Sequence, residues 1–290
     1  MKGIILLNAY SDIPPARRQS LRLKEEFARL GTNVEIARNN RFFARINSGG
    51  EIDSRLGDFS FCVYLDKDKY VSYMLETAGV KLFNGARAIE LCDDKMTTQI
   101  ALAGAGIPMP KTLPGLLCYD QNAKTDLDAM RVAEKELGYP LIVKSSFGSM
   151  GAGVYKADNF GELVAAAENL KTTPHLFQQY VAESAGKDIR VIVIGGKAVA
   201  AMERRSDKDF RSNIAAGGRG VKIDLPEEAR RLAERAAALL GLDYCGADIL
   251  FGKDKFYLCE VNSNAFFEGI EGVTGINVGR LYAEHILSRL

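Results

Sequence analysis

The first third of the chain alternates short apolar runs with longer amphipathic stretches. Residues 3–7 (GIILL), 34–37 and 61–65 have the length and apolar content of buried strands. The stretches between them carry helical periodicity, and the first helix is expected to stop at Leu30-Gly31, where the glycine can cap it. This βαβ alternation predicts an open α/β unit over residues 1–90.

A second unit is expected over residues 91–183. It opens with DDKMTTQIALAGAGIPMP (93–110), in which acidic residues precede an apolar-periodic helix and a Gly-Ile-Pro stop ends it. LIVK at 141–144 reads as a buried strand, SSFGSMGAGVYK as a glycine-rich turn between two strands, and 159–170 as a capped helix. The third unit, 184–290, begins with strands at 189–194 and 198–203 joined through Gly195-Gly196, a hairpin signal. Pro226 opens a long helix ending at Gly241. Strands at 244–251 and 255–261 follow, separated by a Gly-Lys-Asp turn.

The pattern on the last strand raises a chemical question. Glu260 and Asn262 are two apart on an otherwise apolar segment, so both point to one sheet face, where a carboxylate needs a charged or hydrogen-bonding partner. Asp248 lies on the preceding strand. Pairing 251 with 256 sets it beside 259, and twist or a small register change brings it to the other two. Two carboxylates and an amide suit a hard cation such as Mg²⁺; a structural carboxylate pair fits the same pattern.

Composition narrows the classes. With 290 residues, 47% of them hydrophobic, the chain can bury a large core in two or three units. A net charge of +1 argues against a non-specific nucleic-acid or membrane-surface binder. Five dispersed cysteines without a CxxC pair indicate neither a disulfide framework nor a zinc site, and a reducing cytoplasm fits them best. The apolar run at the N-terminus is too short for a signal-peptide core, and no run approaches a membrane span. Only His175 and His285 are present, which weakens zinc, iron and Ser-His-Asp readings.

Glycines 148, 151 and 153 in SSFGSMGAGV would let backbone N–H groups approach an anion, although a plain hairpin turn also accounts for them. The segment is neither GxGxxG nor a Walker loop. Lys95 and Lys144 stand at element boundaries flanking it and could hold phosphate oxygens. The run ERRSDKDFRSN clusters Arg204, Arg205 and Arg211, suited to phosphate or carboxylate but equally to a solvated hairpin tip, and the flexible-looking AAGGRG (215–220) comes next.

In order, DDK, IVK before a glycine-rich loop, QQYV, KDIR, ERR, FRSN, GADIL and EVN resemble the ATP-grasp carboxylate-amine ligases, in particular the RimK-like branch with its glutamate ligases. The resemblance spans residues 84–290, and DFRSN with EVN…EGIE…TGI is its most specific part. It implies an ATP-grasp fold of α/β and α+β type, with an N-terminal open α/β domain (1–90), a small lid subdomain (91–183) and a C-terminal α+β core (184–290). ATP would lie between the last two.

By the same resemblance, Lys95 and Lys144 would contact phosphates, and the loop carrying Ser146, Ser149, Gly151 and Gly153 would close over them. Gln178, Gln179, Tyr180 and Val181 would hold adenine through backbone groups. Asp188 would face the ribose; Arg211, Ser212 and Asn213 would face the phosphates. Asp248, Glu260 and Asn262 would bind two Mg²⁺ ions, with Mn²⁺ as a substitute. Arg204 would meet the transferred phosphoryl group or the acyl phosphate, with Lys144 and Arg211 as further catalytic cations.

The implied reaction joins a carboxylate on a small molecule, peptide or protein terminus to an amine, such as glutamate, through an acyl phosphate. Two features depart from the family pattern. Gln179 replaces an acidic residue common in the adenine hinge, and residues 263–267 (SNAFF) replace a small-Pro-Gly turn. The second departure directs attention to Asn264 and Glu268 as substrate contacts. A regulatory protein that binds ATP without ligating anything is the competing class, and an oxidoreductase lacks its glycine fingerprint after Leu7. A homo-oligomer is compatible with the sequence, and neither nucleic acid nor membrane is an expected partner.

Overall fold

The computed structural model describes residues 1–290 apart from Ser11, Met150, Ala215 and Ala216. Three main sheets organise the chain. The first is parallel, in the order β2-β1-β5-β6, from Lys2–Leu7 (β1), Asn33–Arg38 (β2), Phe61–Leu65 (β5) and Leu82–Phe83 (β6). Residues 3–7 and 61–65 are apolar without interruption because both faces of β1 and β5 are covered. Helix α1 (Pro14–Arg29) starts with prolines in its first turn, where no intrahelical N–H is lost, and Gly31 beyond its end has φ +74°. A small hairpin of Ala44–Ile46 (β3) and Ile52–Ser54 (β4) lies between β2 and β5 in sequence, and helix α2 (Lys69–Thr77) separates β5 from β6.

The second sheet is antiparallel, β7-β10-β8-β9, built from Thr112–Pro114 (β7), Leu141–Ser145 (β8), Val154–Ala157 (β9) and His175–Gln179 (β10). Helices α5 (Leu127–Leu137) and α6 (Phe160–Leu170) share its core through Met130, Leu141, Val143, Leu163 and Phe177. Asn159 caps α6, accepting from the Glu162 N–H at 3.0 Å.

The third sheet is antiparallel in the order β13-β12-β11-β14-β15: Lys187–Ile194 (β11), Lys197–Arg205 (β12), Arg219–Lys222 (β13), Tyr244–Phe251 (β14) and Phe256–Asn262 (β15). Helix α7 (Glu227–Leu240) covers one face, burying Ala229, Ala233, Ala236 and Ala237 against Ile189, Val191, Ala247 and Ile249. Its small residues allow close approach to the sheet. Cys92, Leu102 and Ile107 join this core, so α3 (Ala86–Asp93) and α4 (Lys95–Leu102) pack with it even though the sequence places most of this stretch in the central unit. Helices α8 (Glu268–Thr274) and α9 (Val278–Ser288) close the chain. Another core joins the first and third sheets, with Phe27 and Phe61 in the same cluster as Ile192, Tyr244, Tyr282 and Ile286.

The flexible segment expected at 215–220 needs a partial correction. Ala215 and Ala216 lie outside the described residues, whereas Arg219 and Gly220 belong to edge strand β13, paired with Arg205 and Arg204. A Cβ at Gly220 would come within 2.8 Å of Val273 Cγ2, so glycine permits α8 to pack over this edge.

Candidate functional site

The face of the third sheet opposite α7 is covered in part by the core it shares with the first sheet, and the rest of it carries the charges. Alternation directs Asp188 and Arg190 of β11, Arg204 of β12 and Asp248 of β14 to that face, while Ile189, Val191, Ala247 and Ile249 enter the core below. Cross-strand register then pairs opposite signs. Asp188 stands opposite Arg204, and Arg190 opposite Asp248. Arg204 Nε donates to Asp188 Oδ1 at 2.7 Å, and its Nη2 lies 3.0 Å from Asp248 Oδ2. Arg190 grips Asp248 with two nitrogens, Nη2 donating to Oδ2 at 2.9 Å. Asp248 is 5% exposed. Burial alone would push its carboxyl up, but Arg190 and Arg204 hold it below the usual carboxylate range.

The register of the last two strands contains an irregularity that assembles the expected oxygen donors. Ile249 pairs with Leu258, but the register then shifts and Asp248 pairs with Glu260. One extra residue, Cys259, is accommodated there. The bulge sets Asp248 opposite Glu260, and Asn262 opens onto the same cavity. Glu260 Oε1 lies 3.9 Å from Lys95 Nζ. Among the described residues no cluster of three or more His, Cys, Asp or Glu side chains is positioned for a metal. The candidate set is two carboxylates and an amide, all-oxygen and thus suited to a hard cation, with Asp248 engaged by two guanidinium groups.

Across from this face lie two lysines, one from the second sheet and one from α4. Lys144 is the penultimate residue of β8, at 4% exposure. Its ammonium donates to Gln178 Oε1 at 2.8 Å and has no carboxylate within 4 Å among the described residues. Lys95 opens α4, whose N-cap Asp94 accepts from the N–H groups of Met96 and Thr97. Its Nζ donates to the Gly148 carbonyl at 3.1 Å. Burial lowers the Lys95 pKa; Glu260 partly offsets this, while Lys144 adds to it.

These groups line a cavity of 160 Å³ between the second and third sheets. Ser149 and Gly151 border it from the glycine-rich loop, residues 178–181 from the strand leaving the second sheet, and Arg211, Ser212 and Asn213 from the segment after β12. Arg211 Nη1 donates to the Gly151 carbonyl at 2.8 Å, while Asp209 holds its other nitrogens. This contact joins the loop to the third sheet's side of the cavity. A larger cavity of 720 Å³ shares Ser149, Arg190, Arg204, Asn213 and Asn262 with the first and extends to the first sheet.

The family model of the RimK-like ATP-grasp domain matches residues 92–286. The chain belongs to this family. Human N-acetylaspartylglutamate synthase A is 37% identical over 231 residues, covering 79% of this chain but only 58% of the synthase. A probable alpha-L-glutamate ligase of Legionella pneumophila strain Corby is 35% identical over 73% of this chain and 68% of its own. The fold also matches the solved ATP-grasp ligase PsnB, complexed with a phosphomimetic variant of its minimal precursor, Mg and ADP. That match has TM-score 0.70 and 22% identity, over 100% of this chain and 99% of PsnB.

Most of the residues singled out by the RimK-like motifs border the first cavity, with informative exceptions. Ser146 and Gly153 are not among its lining residues: the Ser146 carbonyl accepts the Lys95 backbone N–H at 2.9 Å, and the Gly153 carbonyl accepts that of Ser145. Both secure the loop from behind. Gln178 lines the cavity, and its side chain bridges Lys144 and Thr112. Asp188 reaches the cavity while held by Arg204. The arginine cluster divides by strand alternation, with Arg204 buried and Arg205 outside, paired with Glu203. Asn264 and Glu268 border the second cavity, where Arg18 Nε lies 2.6 Å from Glu268 and Asn264 Oδ1 has no hydrogen-bond partner among the described residues.

Sequence reasoning missed Arg190, Asn8, Asp66 and Lys67. Arg190 was accessible from its spacing two residues beyond Asp188 on one strand. The other three follow β1 and β5, and only the packing of the first sheet against the third brings them to the site. No helix is long and apolar enough to cross a membrane among the described residues.

Proposed function

We propose that this protein is an ATP-dependent ligase that joins a carboxylate to the amine of an amino acid, with glutamate the leading candidate, releasing ADP and phosphate. The observation that carries this reading is Lys144, a cation at 4% exposure with, among the described residues, only an amide oxygen as its partner, beside Lys95 on the wall of a cavity. A buried, uncompensated ammonium is costly and is stabilised when a polyanion enters. The names of the human and Legionella relatives support glutamate as the amine.

The chemistry needs positioned charge rather than a nucleophilic side chain. A carboxylate oxygen of the first substrate attacks the γ-phosphorus of ATP, and ADP leaves. The amine nitrogen then attacks the acyl carbon, phosphate leaves, and the nitrogen loses a proton to give the amide. Lys95, Lys144 and Arg211 would hold phosphate oxygens, Arg204 the acyl phosphate, and Tyr180 and Val181 the base. Glu260 and Asn262 would hold Mg²⁺, with Asp248 joining them once its arginines exchange partners; the ion would neutralise phosphate charge. The glycine-rich loop would exclude water from the acyl phosphate.

The test is ADP release from ATP with L-glutamate and a panel of carboxylic acids, with hydroxylamine replacing the amine in parallel. ADP and a hydroxamate appearing only with particular carboxylates support the ligase. ATP binding without either product across the panel overturns it in favour of a regulatory nucleotide-binding protein.

A further inference from the structure

The larger cavity has a wall that the ligase motifs do not explain. In the first sheet the chain leaves β1 toward β2 on one side, while β5 is followed by β6 on the other, so the order reverses between β1 and β5. Ligands of open α/β sheets bind at the carboxyl ends of strands beside such a reversal. Asn8 directly follows β1, and Asp66 directly follows β5. Both line the larger cavity, and Asp66 does not line the smaller one.

Asp66 is 8% exposed and is held in position by neutral donors. Asn39 Nδ2 donates to Oδ2 at 2.7 Å, the Lys67 backbone N–H to Oδ1 at 2.8 Å, and Asn8 Nδ2 lies 3.1 and 3.2 Å from the two oxygens. No cation lies within 4 Å of its carboxylate among the described residues. Nearby cations are committed elsewhere, Lys67 to Asp93 at 3.1 Å and Arg18 to Glu268. Burial, with Asp68 and Asp93 nearby, pushes the Asp66 carboxyl up, as expected of an acid whose counter-charge is missing.

The cavity therefore has two chemically distinct ends. Arg190 and Arg204 form the end shared with the smaller cavity, and the uncompensated carboxylate lies on the wall supplied by the first sheet. Leu7, Ile13, Leu65 and Phe266 provide apolar lining. Under the ligase reading, on which this inference rests, the reacting carboxylate must meet the nucleotide at the arginine end. The second reactant enters as a cation.

We propose that Asp66, fixed by Asn8 and Asn39 at the β1/β5 reversal, is the docking group for the ammonium of the amino-acid substrate. The N-terminal sheet thereby selects the amine, while the other two sheets bind nucleotide and carboxylate.

Hydroxylamine separates this role from a purely structural one, because it is uncharged near neutral pH and needs no counter-ion. Asp66→Asn retains the shape of the side chain and removes its charge. It is expected to raise KM for the amino acid by at least about 10-fold, the scale of one charge-assisted hydrogen bond. KM for ATP and hydroxamate formation with hydroxylamine should remain at the wild-type level. Equal losses with both nucleophiles, or no change with the amino acid, overturn the inference. If Asp66→Asn does not melt cooperatively, Asp66→Glu moves the charge instead of deleting it, and the same selective effect on the amino acid is required. Wild-type protein that forms neither ADP nor hydroxamate with any carboxylate overturns the ligase reading, and this assignment with it.

Discussion

Arg190 and Asp248 face each other across neighbouring strands and form a two-nitrogen clasp, Nη2 to Oδ2 at 2.9 Å, on the cavity-lining face of the third sheet. With Arg204 and Asp188 alongside, the two carboxylates and two guanidinium groups on this surface neutralise one another. Removing one partner leaves Asp248 buried with half its compensation. Arg190→Ala is expected to cost about 3 kcal/mol in urea denaturation, toward the lower end for a broken buried pair because Arg204 remains.

Lys144 represents the opposite situation, a buried cation with an amide as its partner. Lys144→Met should raise the melting temperature of the ligand-free protein by about 2 degrees, on the order of 1 kcal/mol, while weakening ATP binding by at least about 10-fold. Differential scanning calorimetry and nucleotide titration read the two effects separately. A drop in both would show that the ammonium contributes to the fold.

Glu260 has the bulge at Cys259 on one side and Lys95 on the other. Glu260→Gln retains the volume and removes the charge needed for a cation. Turnover is expected to fall by at least about 100-fold, with the melting transition in place. Unchanged turnover would remove Glu260 from the metal set.

Gly151 has φ +79°, and a Cβ there would lie 3.3 Å from Arg211 Cδ. Gly151→Ala therefore combines about 1 kcal/mol of left-handed strain with pressure on the arginine that grips the Gly151 carbonyl. A higher KM for ATP is expected, with overall stability reduced by no more than that strain, as steady-state kinetics and chemical denaturation would show.

The junction between the first and third sheets has its own pH dependence. Glu26 of α1 is buried, accepts from Asn277 Nδ2 at 3.1 Å, and pairs with Arg22 and Arg29. Burial raises its pKa, but Asn277 and Arg22 override this and lower it overall. A lowered folded value means that the contribution is complete above the unfolded glutamate pKa of about 4.3 and disappears as pH falls through the folded value. Glu26→Gln should cost about 1 to 2 kcal/mol at pH 7 and progressively less below pH 4. Denaturant midpoints between pH 3 and 7 would reveal this convergence.

Several helix and hairpin boundaries were legible because their signals are local. Asp94 before α4, Asn159 before α6 and Gly195-Gly196 between β11 and β12 each act within a few residues, and the structure uses each as expected. Short edge elements were not legible. Strands β7 and β13 have three and four residues, and neither carries a buried apolar alternation, since an edge is stabilised by its neighbour's backbone.

The candidate site divides similarly. The sequence by itself determined which face each charge would take, because strand alternation is fixed by covalent geometry: Glu260 with Asn262, Asp188 with Arg190, and Arg204 opposed to Arg205. It could not determine partners across strands. The bulge that sets Asp248 opposite Glu260, the clasp of Arg190 on Asp248, and the arrival of Asp66 at the second cavity depend on register and on packing between sheets. Those are contacts between residues 12 to more than 100 positions apart, decided by which apolar surfaces can be buried together, and they exist only once the sheets have met.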